Sequence, residues 1–321
     1  MFMDEKSLVS IDQAKDAALR ILVHNAQGPF QGLPRAAGWG YPEPYTRDLM
    51  ISALGFVASG CEQLADALRR TLVALATNQT ARGLIPGLAH DPADLGSSDT
   101  TPLFLFGLAL YRKSANQPNQ PGFLDEAAQK ALKWMQYQSP DDMVMVSQLP
   151  TSDWRDEQWV MGYGLYVNTL VYAYLVLFGE HESAGELRGL MNRLEVRGNA
   201  KNPHEHEGLV VPSKPYYALY SYKLFNSDRF DLLGNSLGRR HGSAPKWGAA
   251  SLAWVDVRWR HADRDRHHAR DGSGSVRQHH DLSVSFDHRT RRLFVLIGYP
   301  CTCELLGEQT RLGVRSGAGR R

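Results

Sequence analysis

The chain has 321 residues, 43% of them hydrophobic, and a formal net charge of +2 at pH 7. This length and composition allow a substantial core and predict a globular protein of one large or two ordinary domains. The three cysteines, Cys61, Cys301 and Cys303, are too few for a disulfide framework or a structural zinc site. We therefore expect neither a cofactor nor a bound metal.

The sequence lacks the signals of a membrane or exported protein. No segment approaches the ~18 to 20 uncharged apolar residues that a membrane span requires. The N-terminal sequence "MFMDEKSLVS" has acidic residues where a signal peptide has a basic stretch followed by an apolar run. We therefore expect a cytoplasmic protein without a membrane partner.

Residues 1–238 predict a succession of helices. The first, "SIDQAKDAALRILVHNA", has apolar residues at helical spacing and Ser10 as a candidate N-cap. The segments between the predicted helices are rich in Gly, Pro, Asn and Asp, as turns are. Without a fixed sequence repeat, this pattern favours an all-α protein whose helical hairpins close into a barrel. After the first helix, helices are predicted at 47–59, 62–78, 98–113, 124–138, 157–178, 181–195 and 213–237, the last broken near Asn226.

Charge and composition change abruptly after residue 238. Residues 239–321 contain fifteen Arg, one Lys and seven of the twelve His against eight acidic residues, and helical periodicity stops there. Such a segment indicates a change of reading frame, a divergent second domain or a basic contact for nucleic acid. A change of reading frame accounts best for the loss of Lys and the gain of Arg and His. We therefore expect an irregular segment that binds no nucleic acid.

Three of the predicted helices begin with an acidic residue: Asp48, Asp99 and Asp156. The helix macrodipole alone can account for each of them, since it favours an acid at this position by about 0.3 to 1 kcal/mol. Aromatic residues at helical spacing are likewise typical of a core. Together, however, the two features suit a sugar, because rings stack on its apolar face and carboxylates accept hydrogen bonds from its hydroxyls. The aromatic residues at these helix ends are Tyr41, Tyr45, Trp154, Trp159, Tyr163 and Tyr166.

Four segments between about residue 40 and residue 238 resemble one family of enzymes. They are "PYTRDLMISALGFVASG", "SSDTTPLFLFGLALY", "DWRDE" followed by "GYGLYVNTLVYAYL", and "RFDLLGNSLG". In this order they are similar to the W-I-R-D-x-x-x-S-A-L, V-D-S-x-x-W, D-R-R-M-G and R-F-x-x-L-G-N motifs of neutral/alkaline invertases. The third also resembles the W-M-D segment of bacterial debranching-type glucosidases. The resemblance implies an (α/α)6 toroid of the six-hairpin glycosidase superfamily.

The resemblance also implies an activity and a role for each matching residue. Members of the family are inverting glycoside hydrolases, so the chain would hydrolyse an α-glucosidic bond of a small sugar such as sucrose. Asp156 would be the general acid that protonates the glycosidic oxygen, with Asp153 as the alternative. Charged groups would bind the sugar hydroxyls, and aromatic rings would stack on the sugar. The residues that would contact this carbohydrate are Tyr45, Arg47, Asp48, Asp99 and Trp154.

The chain departs from the family after Gly238. The family's general base is a Glu of the C-terminal half, reached through a Y-H-N-G-G-x-W-P motif, whereas only Glu304 and Glu308 follow here, in no matching context. An inverting mechanism needs this second carboxylate to activate water. Residues 1–238 are therefore expected to form the N-terminal part of an incomplete toroid. Two functions stay open, a glycosidase that can be inactive as written and a non-catalytic carbohydrate-binding helical remnant. An (α/α) epimerase is less favoured, because no His lies near the acids.

Overall fold

The computed structural model describes residues 5–38, 40–114, 123–140, 144–193, 208–211, 216–222 and 225–237. From Leu22 onwards these residues belong to one compact unit, and residues 5–21 belong to another. The packing and the site described below belong to the unit that begins at Leu22. The sequence expectations for residues 239–321 lie outside the described residues.

The described residues are mostly helical, with one small antiparallel sheet. This agrees with the expected all-α class, to which the structure adds the sheet. None of these helices combines the length and the apolar character that crossing a lipid bilayer requires. The helices are α1 (Glu5–Asn25), α2 (Thr46–Ser59), α3 (Glu62–Thr77), α4 (Thr100–Lys113), α5 (Phe123–Gln136), α6 (Leu165–Phe178), α7 (His181–Arg193) and α8 (Leu232–Leu237). The strands are β1 (Tyr163–Gly164), β2 (Tyr220–Tyr222) and β3 (Phe225–Ser227).

Five predicted helices agree with the structure to within about two residues, the usual uncertainty of helix ends. They correspond to α2, α3, α4, α5 and α7. The prediction that Ser10 caps the first helix is wrong, because α1 already begins at Glu5 and Ser10 lies inside it. The residues before Ser10 include Glu, Lys and Leu, which are good helix formers and extend the helix toward the N-terminus.

Two further predicted helices need correction. α6 begins at Leu165 rather than at residue 157. Gly162, with a φ of 68°, and the strand β1 interrupt the chain before it. Residues 213–237 do not form one broken helix, since β2 and β3 form a hairpin and only the short α8 follows. The segment "YALYSYKLFNS" is rich in Tyr and Phe, which favour strands, and Tyr220 and Tyr222 flank Ser221 in alternation.

Four helices form a row in which α2 contacts α4, α4 contacts α6, and α6 contacts α8. α3 packs on α2 and α4, α5 packs on α3 and α4, and α7 packs on α6. α4 lies at the centre, and every residue from Thr100 to Tyr111 is buried. Its sequence is apolar on all sides because neighbours surround it on all sides. The core therefore lies between a row of four helices and the helices that cover this row.

Glycines set the ends and the spacing of the helices in this row. Gly60 and Gly179 adopt the left-handed conformation directly after α2 and α6, with φ of 64° and 88°, and so terminate them. Within α4, Gly107 lets α2 approach closely, because a Cβ at this position would lie 2.6 Å from the Met50 sulfur. The spacing between α2 and α4 thus depends on a missing side chain.

The N-terminal end of α6 is fixed by the segment that precedes the helix. Asn168, fully buried in α6, donates hydrogen bonds of 2.9 Å to the carbonyl oxygens of Val146 and Gly164. Its side-chain oxygen accepts a hydrogen bond of 2.9 Å from the Val146 amide. β1 pairs with β2, with Tyr163 opposite Ser221. Both the loop and the sheet therefore hold the start of α6.

Candidate functional site

Arg47, the second residue of α2, connects three segments that lie far apart in the sequence. Its guanidinium forms two hydrogen bonds to Asp99, from Nε to Oδ2 at 2.6 Å and from Nη2 to Oδ1 at 3.2 Å. Nη2 also donates to Ser97 Oγ at 3.0 Å, and Nη1 donates to Asp156 Oδ1 at 3.2 Å. These four residues are called the Arg47 cluster. The structure thus brings together three of the residues that the sequence predicted for the site.

Asp99 is the buried anchor of the Arg47 cluster. It directly precedes α4, but its side chain makes no cap hydrogen bond to the helix and instead accepts from Arg47 and, at 2.7 Å, from Ser97 Oγ. Burial raises the pKa of the Asp99 carboxyl, and the hydrogen bonds and charge of Arg47 oppose this rise. Asp99 therefore orients Arg47 rather than stabilising the end of α4.

Asp48 follows Arg47 and lies at the surface near the same charges. Desolvation by surrounding protein atoms raises the pKa of its carboxyl, and the neighbouring charges of Asp99 and Asp156 raise it further, whereas Arg47 lowers it. Asp48 is exposed along the side of the cluster. Its carboxylate is therefore accessible from solvent, and the sugar-binding role expected from the sequence stays a prediction.

Asp156 lies in a turn, not at the start of a helix, because α6 begins only at Leu165. The macrodipole interpretation therefore does not apply to this residue. Its side chain is 70% exposed, and Arg47 is the arginine that contacts it. Of the carboxylates in the Arg47 cluster, Asp156 is thus the one that a bound molecule can reach.

Asp153, the alternative acid, has a different environment. It is buried, and both of its oxygens are bonded to Arg155, from Nε to Oδ1 at 3.2 Å and from Nη2 to Oδ2 at 2.6 Å. Gln148 Nε2 donates to Oδ2 at 2.9 Å. Although burial raises the pKa of this carboxyl, the bonds to Arg155 and Gln148 outweigh burial and hold the pKa below its usual range. Asp153 therefore suits a permanent anion better than a proton donor.

Arg155 also connects Asp153 to the segment "RFDLLGNSLG", the fourth of those that resemble the invertase motifs. Its Nη1 lies 3.0 Å from Asp231 Oδ2, directly before α8. Asn235, in α8, fixes the neighbouring backbone, since it accepts a hydrogen bond from the Tyr217 amide at 2.8 Å and donates to the Asp231 carbonyl at 2.9 Å. Gln148, Asp153, Arg155 and Asp231 are called the Arg155 cluster.

The aromatic residues named from the sequence divide into exposed and buried groups. Tyr45 is 37% exposed beside the Arg47 cluster, and Trp159 is 73% exposed. Trp154 is half-buried, packs on the core and lies under the Arg155 guanidinium, 5.2 Å from its ring centre. Tyr163 and Tyr166 are fully buried. Tyr45 is therefore the better placed of the two predicted stacking residues, because the face of Trp154 is already covered by Arg155.

The described part of the chain contains no group of three His, Cys, Asp or Glu side chains arranged to hold a metal ion. No protein-family model matches the chain, and a search of curated proteins finds no match either. Its function is therefore inferred from the geometry of the two arginine clusters.

Sequence reasoning missed four residues of these clusters: Ser97, Gln148, Arg155 and Asp231. Arg155 carried a signal, because it stands between Asp153 and Asp156 in a segment with few other cations. An arginine in this position has an acidic partner close at hand. The second partner, Asp231, is remote in sequence and could be found only by knowing that α6 and α8 are neighbours.

Proposed function

We propose that the chain is an inverting glycoside hydrolase of the (α/α)6 kind, acting on an α-glucosidic bond of a small sugar such as sucrose or a short α-glucoside. One observation carries the proposal. The four segments on which the family resemblance rests contribute to two adjoining clusters of charged residues, joined by the short turn from Asp153 to Asp156. The resemblance implies a shared site for these segments, and their meeting supports the proposal.

The packing of the helices supports the proposed toroid. In such a toroid, inner helices follow one another around an axis, and outer helices return the chain between them. The succession α2, α4, α6 and α8, with α3, α5 and α7 packed on it, has this alternation. The N-terminal segments of α2 and α4 meet at the Arg47 cluster, which suits a site at one end of the inner row.

Arg47 provides a mechanism for coupling binding to catalysis. It holds Asp99 through two bonds, of 2.6 and 3.2 Å, and Asp156 through a single bond of 3.2 Å. A sugar hydroxyl that accepts a hydrogen bond from Nη1 would replace Asp156 there without disturbing Asp99. The released Asp156 carboxyl would then face the glycosidic oxygen as the proposed general acid. Asp48 and Tyr45 would contact the sugar from the exposed side of the cluster.

An inverting enzyme also needs a base ~6.5 to 9.5 Å from its acid, so that water fits between them. Two nearby carboxylates, Asp99 and Asp153, are buried and paired with arginines, so neither is well placed to act as the general base that activates water. Because both carboxylates are already paired with arginines, a second candidate function is favoured, a carbohydrate-binding protein that does not hydrolyse its ligand. Arg47, Asp48 and Tyr45 would bind the sugar in the same way in both cases.

The substitution Asp156→Asn tests the proposal. The amide keeps the size of the side chain but cannot donate a carboxylic proton, so kcat on sucrose, whose leaving group needs protonation, should fall about 10²- to 10⁴-fold. Glu157→Gln is the matched control, since it neutralises the adjacent exposed acid, and it should change kcat less than about twofold. Proton NMR should show the β-anomer of glucose as the first product.

Sugar binding by the unsubstituted chain and by Arg47→Lys distinguishes the two candidate functions. Saturable binding of sucrose or glucose in calorimetry, weakened by Arg47→Lys but without hydrolysis by the unsubstituted chain, would identify the carbohydrate-binding protein. Retention of full activity in Asp156→Asn would remove this residue from the mechanism. A chain that neither binds nor hydrolyses these sugars would contradict both functions.

A further inference from the structure

The side chains around Asp156 alternate between the interior and the surface. The side chain of Asp153 is 1% exposed and that of Arg155 is 4% exposed, whereas the side chain of Asp156 is 70% exposed. The exposed acid is thus carried by a turn whose preceding charged residues point into the protein. Burying a charged side chain is costly unless it is paired and hydrogen-bonded, so these inward charges need a compensating arrangement.

The backbone of Arg155 closes the turn on both sides of Asp156. The Arg155 amide donates to Asp153 Oδ1 at 2.8 Å, and the Arg155 carbonyl accepts from the Gln158 amide at 2.8 Å. The Asp153 carboxylate therefore binds both the backbone and the side chain of Arg155. Asp153 thus links the position of the Arg155 side chain to the backbone beside Asp156.

Two other segments anchor this turn. Gln148 donates to Asp153 from the loop before it, and Asp231 pairs with Arg155 from the start of α8. Trp154 covers the guanidinium. Arg155 is thus one cation between two buried carboxylates, and its planar guanidinium can face both at once, which a lysine ammonium cannot do with the same geometry.

We propose that Arg155 is a positioning residue for Asp156: its ion pairs with Asp153 and Asp231 fix the turn so that the exposed carboxylate stays beside Arg47. The effect of this arrangement on catalysis rests on the proposed function, whereas the fixing of the turn does not. Asp231 would then influence a residue of the site from the far end of the row of helices.

Hydrogen exchange of the full chain, followed by mass spectrometry, tests the fixing of the turn. Asp231→Asn should raise the exchange rates of amides in residues 153–160 by about tenfold or more, because one anchor of Arg155 is lost. The remaining Arg155 and Asp153 form a neutral pair, so the variant should still fold. Arg155→Lys should have the same effect. Asp66→Asn is the control, since Asp66 also holds two arginines but on α3. Unchanged exchange in residues 153–160 of a folded Asp231→Asn or Arg155→Lys protein would overturn the proposal.

Two substrates separate positioning of an acid from general loosening. Hydrolysis of sucrose depends on a proton donor, because its leaving group is an alcohol of low acidity, whereas 4-nitrophenyl α-glucoside has an acidic phenol as leaving group that needs little protonation. Asp231→Asn should lower kcat on the first about tenfold more than on the second, with little change in KM. An equal loss of kcat on both substrates would mean that Arg155 only stabilises the structure and does not position the acid. Absence of hydrolysis in the unsubstituted chain would contradict the glycosidase, while the exchange measurement still decides whether Arg155 fixes the turn.

Discussion

Asp153 is almost completely buried, yet its carboxyl is held in the charged form. Arg155 and Gln148 together supply three side-chain hydrogen bonds to it, and the Arg155 amide adds a fourth. Asp99 is also buried and bonded to an arginine, but in its case burial outweighs the arginine and the pKa is raised. Desolvation therefore prevails over the donated hydrogen bonds at Asp99, whereas the hydrogen bonds prevail over desolvation at Asp153.

This difference gives Asp153→Asn a pH-dependent effect on stability. The folded-state pKa of Asp153 lies below its ordinary value of 3.8, so its stabilising contribution is complete above that value and is lost as the pH falls through the folded-state pKa. Removing one member of this buried pair should lower the free energy of unfolding by about 3 kcal/mol at pH 7. Urea unfolding of both proteins between pH 7 and pH 2.5 should show the difference shrinking at acidic pH.

The control for this measurement is Asp66→Asn, at a half-exposed ion pair on α3, which should cost less than about 1 kcal/mol. A difference between Asp153→Asn and the unsubstituted chain that stays constant down to the lowest pH would show that Asp153 does not stabilise the fold through its charge.

Individual residues of the candidate site were predictable where a single sequence segment contained both the charged residue and the pattern that pointed to it. Arg47, Asp99 and Asp156 each stand beside an aromatic or apolar helix segment, and the structure brings the three together. The interpretation of Asp156 as a helix start was wrong, because local periodicity does not show where Gly162 interrupts the chain. Asp231 was not predictable as a partner of Arg155, since the two meet only after α6 and α8 have packed.

At the scale of elements, the predicted helices were those with an apolar face that repeats over several turns. α3 and α5 have such faces, and their bounds follow from the sequence. The β2–β3 hairpin was missed because its aromatic residues also fit a helical spacing, and only the pairing with β1 selects the extended form. Tertiary contacts thus decided the structure where local preference was ambiguous.

Asn168 is the residue on which the junction of α6 with its preceding loop depends. Asn168→Leu should lower the free energy of unfolding by about 3 kcal/mol, because the amide and carbonyl of Val146 lose their partner in a buried environment. Thermal unfolding measured by circular dichroism checks this. The control Gln129→Ala, at an exposed position of α5, should change the free energy of unfolding by less than about 0.5 kcal/mol. Equal melting temperatures for Asn168→Leu and the unsubstituted chain would mean that the loop is held by other contacts.

For the whole molecule, the row of helices could be anticipated from the sequence, but its closure into a toroid stays a prediction. Apolar stripes and turn residues indicate hairpins of helices, and the contacts among α2, α4, α6 and α8 are of that kind. The angle between successive hairpins depends on side-chain packing such as that of Gly107 against Met50, which no periodicity reveals.

The predicted division at residue 238 leads to a test on the intact chain. The Arg-rich sequence of residues 239–321 has no helical period and offers many sites for trypsin, whereas α2 to α6 share one core. Brief digestion should therefore release peptides of residues 239–321 before peptides from α2 to α6, as followed by mass spectrometry. Release of both sets at the same rate would show that residues 239–321 are as well protected as the helices.

The two arginine clusters also determine the order in which a growing chain can assemble its site on the ribosome. Arg47 meets Asp99 after 52 further residues and Asp156 after 109. Arg155 has Asp153 at once but receives Asp231 only when the segment before α8 has been synthesised. N-terminal parts of a chain fold first during synthesis. A nascent chain can therefore build the Arg47–Asp99 pair early, while the turn that carries Asp156 gains its last anchor only after Asp231 has been synthesised.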